Sequence, residues 1–360
     1  MKKKVVVGMS GGVDSSVAAY LLKEEGYDVI GVTMEIWPKE AEGEDGGCCG
    51  LSAAEDAREV ADRLGIPHYV MNFREVFEEK VIRYFVEEYR NARTPNPCVV
   101  CNTCIKWDAL LKKSMALGAD YIATGHYANV ERLASGRWTL RKSACVEKDQ
   151  TYVLCGLNQE QLAHTRMPIG NHTKSEVRQI AAEIGLEVAD KPDSQDICFV
   201  SNHDYAGFIE KYTGESSEPG NYVDAKGNVL GRHRGLVHYT IGQRKGLGIA
   251  AGHPLFVKEL RPQTNEVVLG TAEEVFGEAL IATNLNFMAI PPMKVGDEMD
   301  VTAKIRYRHE AAPCRIRLTE EDRLFCRFLK PVRAITPGQT IALYDGDLVV
   351  GGGKVCAERF

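Results

Sequence analysis

Long hydrophobic runs are missing from this chain of 360 residues, and so are internal repeats and low-complexity tracts. No apolar run approaches the roughly 20 residues that a helix needs to cross a bilayer, which argues against a membrane protein. The chain starts Met1-Lys2-Lys3-Lys4 and leads directly into a strand pattern without a cleavage site, so we expect no signal peptide. A composition of 44% hydrophobic and 26% charged residues predicts a globular, cytoplasmic protein.

Two common nucleotide-binding motifs are absent as well. No lysine follows the turn Gly11-Gly12, which excludes a Walker loop, and the glycine spacing is not that of a dinucleotide fold. A β-branched strand pattern instead leads to Ser10-Gly11-Gly12-Val13-Asp14-Ser15, and a helical pattern follows. This order turns unpaired backbone N–H groups and the helix dipole towards an anion. The motif resembles the pyrophosphate loop of ATP pyrophosphatases, which cleave ATP between the α and β phosphates and leave AMP on a substrate oxygen.

The net charge of −6 does not suggest a nucleic-acid partner, but the charge is unevenly distributed. Residues 226–245 contain five Lys or Arg and no Asp or Glu, and residues 301–335 contain nine basic and four acidic residues. The first half is correspondingly acid-rich. These basic stretches are either solvated surfaces or the binding surface for an RNA.

Up to residue 125, strand and helix patterns alternate. The predicted strands are 4–8, 28–34, 68–72 and 121–124, and the predicted helices are 14–25, 52–64, 76–89 and 104–117. Such alternation predicts an α/β domain with a doubly wound parallel sheet, whose ligands bind at the carboxyl ends of the strands. Met34 and Gly125 lie at such ends, beside the predicted phosphate loop.

The second half is β-rich. Gly, Ser and Pro accumulate at 214–220, which predicts a linker, and short strand patterns follow at 236–241, 255–260 and 266–269 and from 301 onwards. We therefore expect an ATP-pyrophosphatase domain at 1–213, a small central β-rich domain at 214–277 and a C-terminal β-barrel at 278–360. The length of the chain agrees with about two or three domains.

The chain has 11 cysteines, of which Cys98, Cys101 and Cys104 form a C-x-x-C-x-x-C motif in a segment predicted to be a loop leading into a helix. Three functional interpretations compete: a nucleophilic thiol, a metal or iron–sulfur site with Cys198 as a distant fourth ligand, and a redox pair. The alternative to all three is that these cysteines are buried thiols without a function. Cys48 and Cys49 would also be available to a cluster.

The loop and the cysteines fit one chemistry. An oxygen adenylated by ATP is a leaving group, and a cysteine persulfide is a strong, soft nucleophile that could replace it. Together with the basic C-terminal half, this predicts that a carbonyl oxygen of an RNA base is exchanged for sulfur. An ATP-dependent amidating or argininosuccinate-type ligase, and an RNA-binding or sulfur-carrier module that has lost catalysis, are the alternatives.

Several motifs together resemble the tRNA-specific 2-thiouridylase family over the whole chain. They are residues 8–16, 93–97 with Cys101-Asn102, 124–127, 148–150, 193–199 and 238–248. The resemblance implies a three-domain enzyme that thiolates C2 of the wobble uridine in tRNAs for Lys, Glu and Gln, with ATP and Mg²⁺. It also implies a cysteine desulfurase or persulfide relay protein as sulfur donor, and no membrane partner.

The same resemblance implies a set of site residues. ATP would be bound by Gly8, Met9, Ser10, Gly11, Gly12, Val13, Asp14, Ser15, Met34 and Gly125. Asn96, Pro97 and Cys98 would contact the target base, although Asp is common in the family where Cys98 stands. The tRNA would be contacted by His126, Lys148, Asp149, Gln150, Arg306, Tyr307 and Gln339. Cys198 would carry the persulfide sulfur, and Cys101 would be its partner and could form a disulfide with it. An iron–sulfur cluster on Cys98, Cys101, Cys104 and Cys198 is the less favoured alternative.

Overall fold

A computed structural model describes residues 2–36, 51–190, 197–200 and 204–357. The N-terminal part contains five parallel strands in the order β3-β2-β1-β4-β7. Their bounds are Lys4–Gly8 (β1), Asp28–Glu35 (β2), His68–Asn72 (β3), Tyr121–Thr124 (β4) and Thr165–Arg166 (β7). The chain moves from β1 towards one edge through β2 and β3, then crosses to the other side of β1 with β4. The site where this direction reverses, between β1 and β4, is where ligands bind in open α/β sheets.

Helices cover both faces of this sheet. Their bounds are Val13–Glu24 (α1), Leu51–Leu64 (α2), 74–90 (α3), 97–116 (α4), Thr151–Leu154 (α5), Gln159–Ala163 (α6), Lys174–Glu183 (α7) and Tyr205–Thr213 (α8). Two of them contain π-helical segments, Glu78–Ile82 within α3 and Cys101–Leu110 within α4. One hydrophobic core lies on each face of the sheet. Within the described residues no helix is both long and apolar enough to cross a membrane.

The prediction of a loop around the three clustered cysteines was wrong. Helix α4 begins at Pro97, so Cys98, Cys101 and Cys104 all lie on its first turns. The two signals that suggested a loop are in fact a helix start: the Asn96 side chain accepts a hydrogen bond from the Val99 N–H at 3.4 Å, and Pro97 occupies the first helical position, where no N–H is needed.

A hairpin of the first domain joins the C-terminal barrel. Its strands are Asn129–Arg132 (β5) and Trp138–Arg141 (β6), and β6 pairs with the last strand of the chain. The barrel strands are Phe276–Phe287 (β12), Glu298–Lys304 (β13), Ala312–Glu320 (β14), Arg323–Arg333 (β15), Thr340–Asp345 (β16) and Leu348–Val355 (β17). Pairing of β12 with β17 closes the barrel. The core of the α/β domain continues into the barrel through Met288, Tyr344 and Val349.

A four-stranded sheet lies between these two parts in the sequence, in the order β10-β11-β8-β9. Its strands are Gly220–Val223 (β8), Val229–His233 (β9), Phe256–Arg261 (β10) and Glu266–Gly270 (β11). The predicted strand at 236–241 was wrong, because Leu236–His238 is a single 3₁₀ turn. The predicted fold class is otherwise confirmed: a doubly wound α/β domain, a small β-rich domain and a closed β-barrel.

Candidate active site

The predicted phosphate loop lies at the carboxyl end of β1, at the point where the sheet changes direction. Gly8 ends β1, and Gly12 precedes the first residue of α1, Val13. The Ser15 hydroxyl accepts a hydrogen bond from the Ser10 N–H at 3.2 Å and donates one to the Gly12 carbonyl at 3.1 Å. The start of α1 is thereby held in a fixed position, with its unpaired N–H groups facing the loop.

Two glycines allow the loop to pack this closely. Gly11 has φ +69°, and a Cβ there would lie 2.5 Å from the carbonyl oxygen of Ala53. Gly125 directly follows β4, and a Cβ on it would lie 2.5 Å from both the Asp14 carbonyl carbon and the Ser15 nitrogen. Two of the predicted ATP-binding elements, the loop and Gly125, are therefore in direct backbone contact.

Asp14 is the centre of the polar contacts at this loop. Both of its carboxylate oxygens accept hydrogen bonds from Lys174 Nζ, at 2.8 and 2.9 Å. The Tyr127 hydroxyl donates a third hydrogen bond to Oδ1 at 2.8 Å. The Lys174 side chain is only 16% exposed and that of Asp14 30%. Neither Lys174 nor Tyr127 was among the predicted site residues.

Met34 and Met9 lie beside the loop at the end of the neighbouring strand. Met34 is half-buried near the carboxyl end of β2, and Met9 is buried. The Met9 carbonyl accepts a hydrogen bond from the Thr33 hydroxyl at 2.9 Å, and the Met9 N–H donates to the Val32 carbonyl at 2.8 Å. Strand β2 thus holds the first residue of the loop at both of its backbone polar groups.

Cys101 and Cys198 pack against the same hydrophobic core. Both are half-buried, whereas Cys98 is exposed. The residue after Cys198, Phe199, is buried in a cluster of aromatic rings and lies 5.6 Å from Phe77 and 5.2 Å from Phe85, between ring centroids. These contacts anchor the segment that carries Cys198 to helix α3.

Four of the cysteines that could form an iron–sulfur site, Cys98, Cys101, Cys104 and Cys198, lie within the described residues. In the parts of the chain that the structure describes, no three His, Cys, Asp or Glu side chains are grouped so that they could hold a metal ion. Cys48 and Cys49, and the Asp193-Ser194 part of the Cys198 motif, lie outside the described residues. Cys98, Cys101 and Cys104 follow one another at three-residue intervals along α4.

The C-terminal barrel holds the segment that leads to Asn96 and Pro97. Gln339 Nε2 donates to the Thr94 carbonyl at 2.9 Å and to the Pro95 carbonyl at 3.3 Å. The Thr94 N–H donates to the Pro337 carbonyl at 2.9 Å. Gln339, which was predicted to contact tRNA, therefore positions the predicted base-contact residues.

A buried carboxylate reinforces this contact between the domains. Glu88, only 5% exposed, accepts hydrogen bonds from Arg93 at 2.6 and 3.0 Å and from Lys354 of β17 at 2.7 Å. Burial alone would raise the pKa of Glu88, but the hydrogen bonds from Arg93 and Lys354 outweigh it and lower the pKa below its usual value. Glu88 therefore stays ionised and ties the start of the 93–97 segment to the barrel.

Tyr307 of the barrel lies near the helix that follows the 148–150 segment. Its ring centroid is 6.2 Å from that of Tyr152. Burial raises the pKa of Tyr307, and Asp149, Lys148 and Cys98 lie near enough to act on its hydroxyl electrostatically. Tyr307 is nevertheless 38% exposed. Asn102 Nδ2 of α4 donates to the Val153 carbonyl at 2.9 Å, and the Tyr152 hydroxyl donates to the Thr340 carbonyl at 2.8 Å. These contacts bring together the helix that follows the predicted base-contact residues, the helix after the 148–150 segment, and the barrel.

The 148–150 segment is linked to the predicted phosphate loop through Tyr127. Gln150 Oε1 accepts from the Tyr127 N–H at 2.8 Å, and the Gln150 N–H donates to the Tyr127 carbonyl at 2.9 Å. Asp149 is buried and accepts hydrogen bonds from the Ser143 N–H at 3.0 Å and the Thr151 hydroxyl at 2.6 Å. Since the Tyr127 hydroxyl bonds Asp14, one chain of contacts joins the two predicted sites.

Two other predicted tRNA contacts have internal partners. His126 is buried, its Nδ1 lies 2.7 Å from the Thr124 hydroxyl, and burial together with the charge of Lys106 lowers its pKa well below the ordinary value. Arg306 Nη2 donates to the Ile241 carbonyl at 2.7 Å and to the Ala334 carbonyl at 3.1 Å, so this guanidinium joins the central domain to the barrel.

Three family models match the chain in succession. The tRNA methyl transferase HUP domain matches residues 3–202, the tRNA methyl transferase PRC-barrel domain matches 206–271, and the aminomethyltransferase beta-barrel domain matches 277–355. The tRNA-specific 2-thiouridylase MnmA of Lachnoclostridium phytofermentans is 60% identical over 356 residues, which cover 98% of this chain and 99% of that protein. The chain belongs to the tRNA-specific 2-thiouridylase family.

A second member of the family, from Clostridioides difficile, is 54% identical over 357 residues, which cover 99% of this chain and 98% of that protein. Among solved structures, a 4-thiouridine synthetase in complex with RNA and bound ATP is 20% identical, with a TM-score of 0.34 over 59% of this chain and 50% of that chain. The two thiouridylase relatives confirm, over nearly the whole sequence, the family predicted from the motifs.

Three residues of this family member were missed by sequence reasoning. Lys174 and Tyr127 contact Asp14 from 160 and 113 residues away, and Glu88 joins the α/β domain to the barrel. Tyr127 could have been found, because it belongs to the 124–127 motif. Lys174 and Glu88 carry no local signal, since each is an ordinary charged residue on a helix.

Proposed function

We propose that this protein uses ATP to replace the C2 oxygen of the wobble uridine of tRNAs for Lys, Glu and Gln by sulfur. The observation that carries the proposal is the meeting of the cysteine helix α4, the helix that follows the 148–150 segment, and the barrel. Asn102 Nδ2 of α4 donates to the Val153 carbonyl at 2.9 Å, and the Tyr152 hydroxyl donates to the Thr340 carbonyl of the barrel at 2.8 Å. A substrate base placed here would reach both a cysteine-bearing helix and, through Tyr127, the phosphate loop. The thiouridylases that the chain resembles over nearly its full length support this conclusion.

The loop residues Gly8 to Ser15, with Met34 and Gly125, would bind ATP. Uridine O2 attacks the α phosphorus, and pyrophosphate leaves towards the N–H groups at the start of α1, which stabilise its negative charge. Asp14 is the loop carboxylate that would hold Mg²⁺ in place of its contact with Lys174. Proteins often bind this ion through one or two carboxylates plus the phosphate oxygens of the substrate. When bound there, the ion would neutralise charge on the leaving group.

Sulfur would come from a persulfide on Cys198, loaded by a cysteine desulfurase or a persulfide relay protein. The outer sulfur attacks C2, and AMP leaves with the original oxygen. Cys101 then attacks the inner sulfur, which breaks the sulfur–sulfur bond, leaves one sulfur on C2 and forms a Cys101–Cys198 disulfide. Alternatively, Cys101 attacks the persulfide first and releases sulfide as the nucleophile. A thiol reductant returns both cysteines to thiols.

The residues assigned to tRNA divide into two groups. Tyr307 and Lys148, with Asn96, Pro97 and Cys98, would contact the flipped base and its neighbours, and flipping is inexpensive in a single-stranded loop. His126, Asp149, Gln150, Arg306 and Gln339 have protein partners that suit a positioning role. They would hold the contacting segments at fixed distances from one another.

Nucleoside mass spectrometry tests the proposal. The protein is incubated with ATP, Mg²⁺, tRNA and a persulfide donor, and the RNA is digested. We expect 2-thiouridine with the wild type and with Cys356→Ser, a control at a half-buried cysteine of the barrel. Cys198→Ser should abolish 2-thiouridine while pyrophosphate is still released.

The other outcomes separate the alternatives. A methylated nucleoside, or AMP release without any thiolated nucleoside, would overturn the proposal. Unchanged activity of Cys198→Ser would favour an amidating ligase, because that chemistry needs no thiol. Iron in the purified protein, lost in Cys101→Ser, would show that the cysteines hold a cluster.

A further inference from the structure

The phosphate loop has no cation of its own. Residues 8–16 contain one carboxylate, Asp14, and no Lys or Arg. Asp14 has the same sign of charge as a phosphate and would repel it. Because the loop donates only backbone N–H and hydroxyl groups, a positive side chain from another part of the chain would balance the charge of a bound polyphosphate.

Lys174 reaches the loop because its helix starts beside it. A capping box sets the start of α7: the Thr173 N–H donates to Glu176 Oε2 at 2.6 Å, and the Glu176 N–H donates to Thr173 Oγ1 at 3.3 Å. Lys174 is the first residue of that helix, where the helix dipole disfavours a cation. A lysine at this position therefore owes its stability to tertiary contacts rather than to the helix.

Those contacts direct the ammonium group to the loop. Nζ lies 2.8 and 2.9 Å from the two oxygens of Asp14 and 6.0 Å from the centre of the Tyr127 ring. Asp14 is in the first turn of α1, so the ammonium lies beside the N–H groups that face the predicted anion. The Lys174 side chain is mostly removed from solvent, which strengthens its interaction with any anion that enters.

We propose that Lys174 binds the phosphates of ATP. In this structure its ammonium neutralises Asp14, and a bound polyphosphate, which carries more negative charge than one carboxylate, would draw it onto a phosphate oxygen. The inference rests on the proposed use of ATP at this loop. It assigns to a residue of the second half of the α/β domain the role that the lysine of a Walker loop has within the loop itself.

Equilibrium binding of an ATP analogue with a non-cleavable α–β bridge tests this, measured by calorimetry on the full-length protein. Lys174→Gln should weaken binding by about 10- to 100-fold, as expected for the loss of one charge-assisted hydrogen bond. Lys174→Arg should retain most of the affinity. Lys112→Gln is the matched control, because Lys112 forms an exposed ion pair with Asp108 on α4. Affinity for tRNA, measured alongside, should stay at the wild-type value in all three variants and shows that they are folded.

A purely structural role for Lys174 predicts a different result. If it only holds Asp14, then Lys174→Gln should have no further effect on ATP binding in an Asp14→Asn background; if it binds phosphate, the loss should persist there. Wild-type affinity of Lys174→Gln, or loss of its effect in that background, would overturn the inference. The proposed function fails separately, when the wild type itself yields no thiolated nucleoside.

Discussion

Substituting Gly125 by alanine should displace the predicted phosphate loop and the start of α1. The added Cβ would lie 2.5 Å from the Asp14 carbonyl carbon and the Ser15 nitrogen, about 1 Å short of ordinary van der Waals contact. Both neighbours are backbone atoms, so a side-chain rotation cannot relieve the clash, and the start of α1 must move. A shift of about 1 Å in a catalytic group can cost about 100-fold in rate.

We therefore expect Gly125→Ala to lower tRNA-dependent AMP formation by about 100-fold at saturating ATP, and to destabilise the protein by about 1–3 kcal/mol through overpacking. Affinity for tRNA should fall less than turnover, because Gln339 and Arg306, which hold other predicted contact segments, lie in the barrel. Gly118→Ala is the control. This substitution also replaces a hydrogen by a methyl group, but nothing lies within 4 Å of the Cβ position of Gly118. Its positive φ should cost stability without loss of turnover. Wild-type turnover in Gly125→Ala would refute the reasoning.

Three further predictions concern the domain contacts and the buried histidine. Glu88→Gln should lower the free energy of unfolding by about 3 kcal/mol in urea titrations, because two cations lose a buried partner. Asp300→Asn, at an exposed ion pair, should change the free energy of unfolding little. Equal effects of the two substitutions would contradict this prediction. Arg306→Ala should weaken tRNA binding without changing its salt dependence, since the guanidinium donates to protein carbonyls. Arg308 is an exposed residue of the basic 301–335 stretch, so Arg308→Ala should lower the salt slope by about one. The reverse pattern would make Arg306 the phosphate contact. Below the ordinary histidine pKa of 6.5, the unfolded chain takes up a proton that buried His126 in the folded protein does not. The free energy of unfolding should therefore decrease as the pH is lowered, by up to about 1.4 kcal/mol per pH unit, and His126→Gln should reduce this slope. Identical pH slopes in the two proteins would refute the assignment.

Local sequence patterns predicted the strands of the α/β domain most reliably. The predicted strands 4–8, 68–72 and 121–124 coincide with β1, β3 and β4, because short apolar runs bounded by glycine and polar residues leave few alternatives. The start of α4 was misplaced because prolines suggested a loop. In the structure, Pro97 follows the capping residue Asn96 and is compatible with the first helical turn. The predicted strand at 236–241 was also wrong. Part of this segment is a 3₁₀ turn, and its apolar residues pack into the core of the central domain.

Long-range pairing was beyond sequence reasoning. Nothing near Lys174 indicates that it meets a carboxylate 160 residues earlier, and nothing near Glu88 indicates a partner on the last strand of the barrel. Likewise, Gln339 and Arg306 were expected to contact tRNA, yet their hydrogen bonds go to carbonyls of other segments of this chain. A side chain's role at such positions depends on which groups the fold brings within about 3 Å, not on its neighbours in sequence.

The sequence by itself therefore determined the family, the fold class and the strand–loop–helix arrangement of residues 4–24, since each depends on residues that are adjacent along the chain. Only the tertiary structure decided how the parts meet: that a cation from α7 neutralises Asp14, that the barrel binds the segment before Asn96, and that Tyr307 packs near Tyr152. These contacts follow from the packing of the sheet, its helices and the barrel, which places distant charges close together in a partly buried site where their interactions are strong.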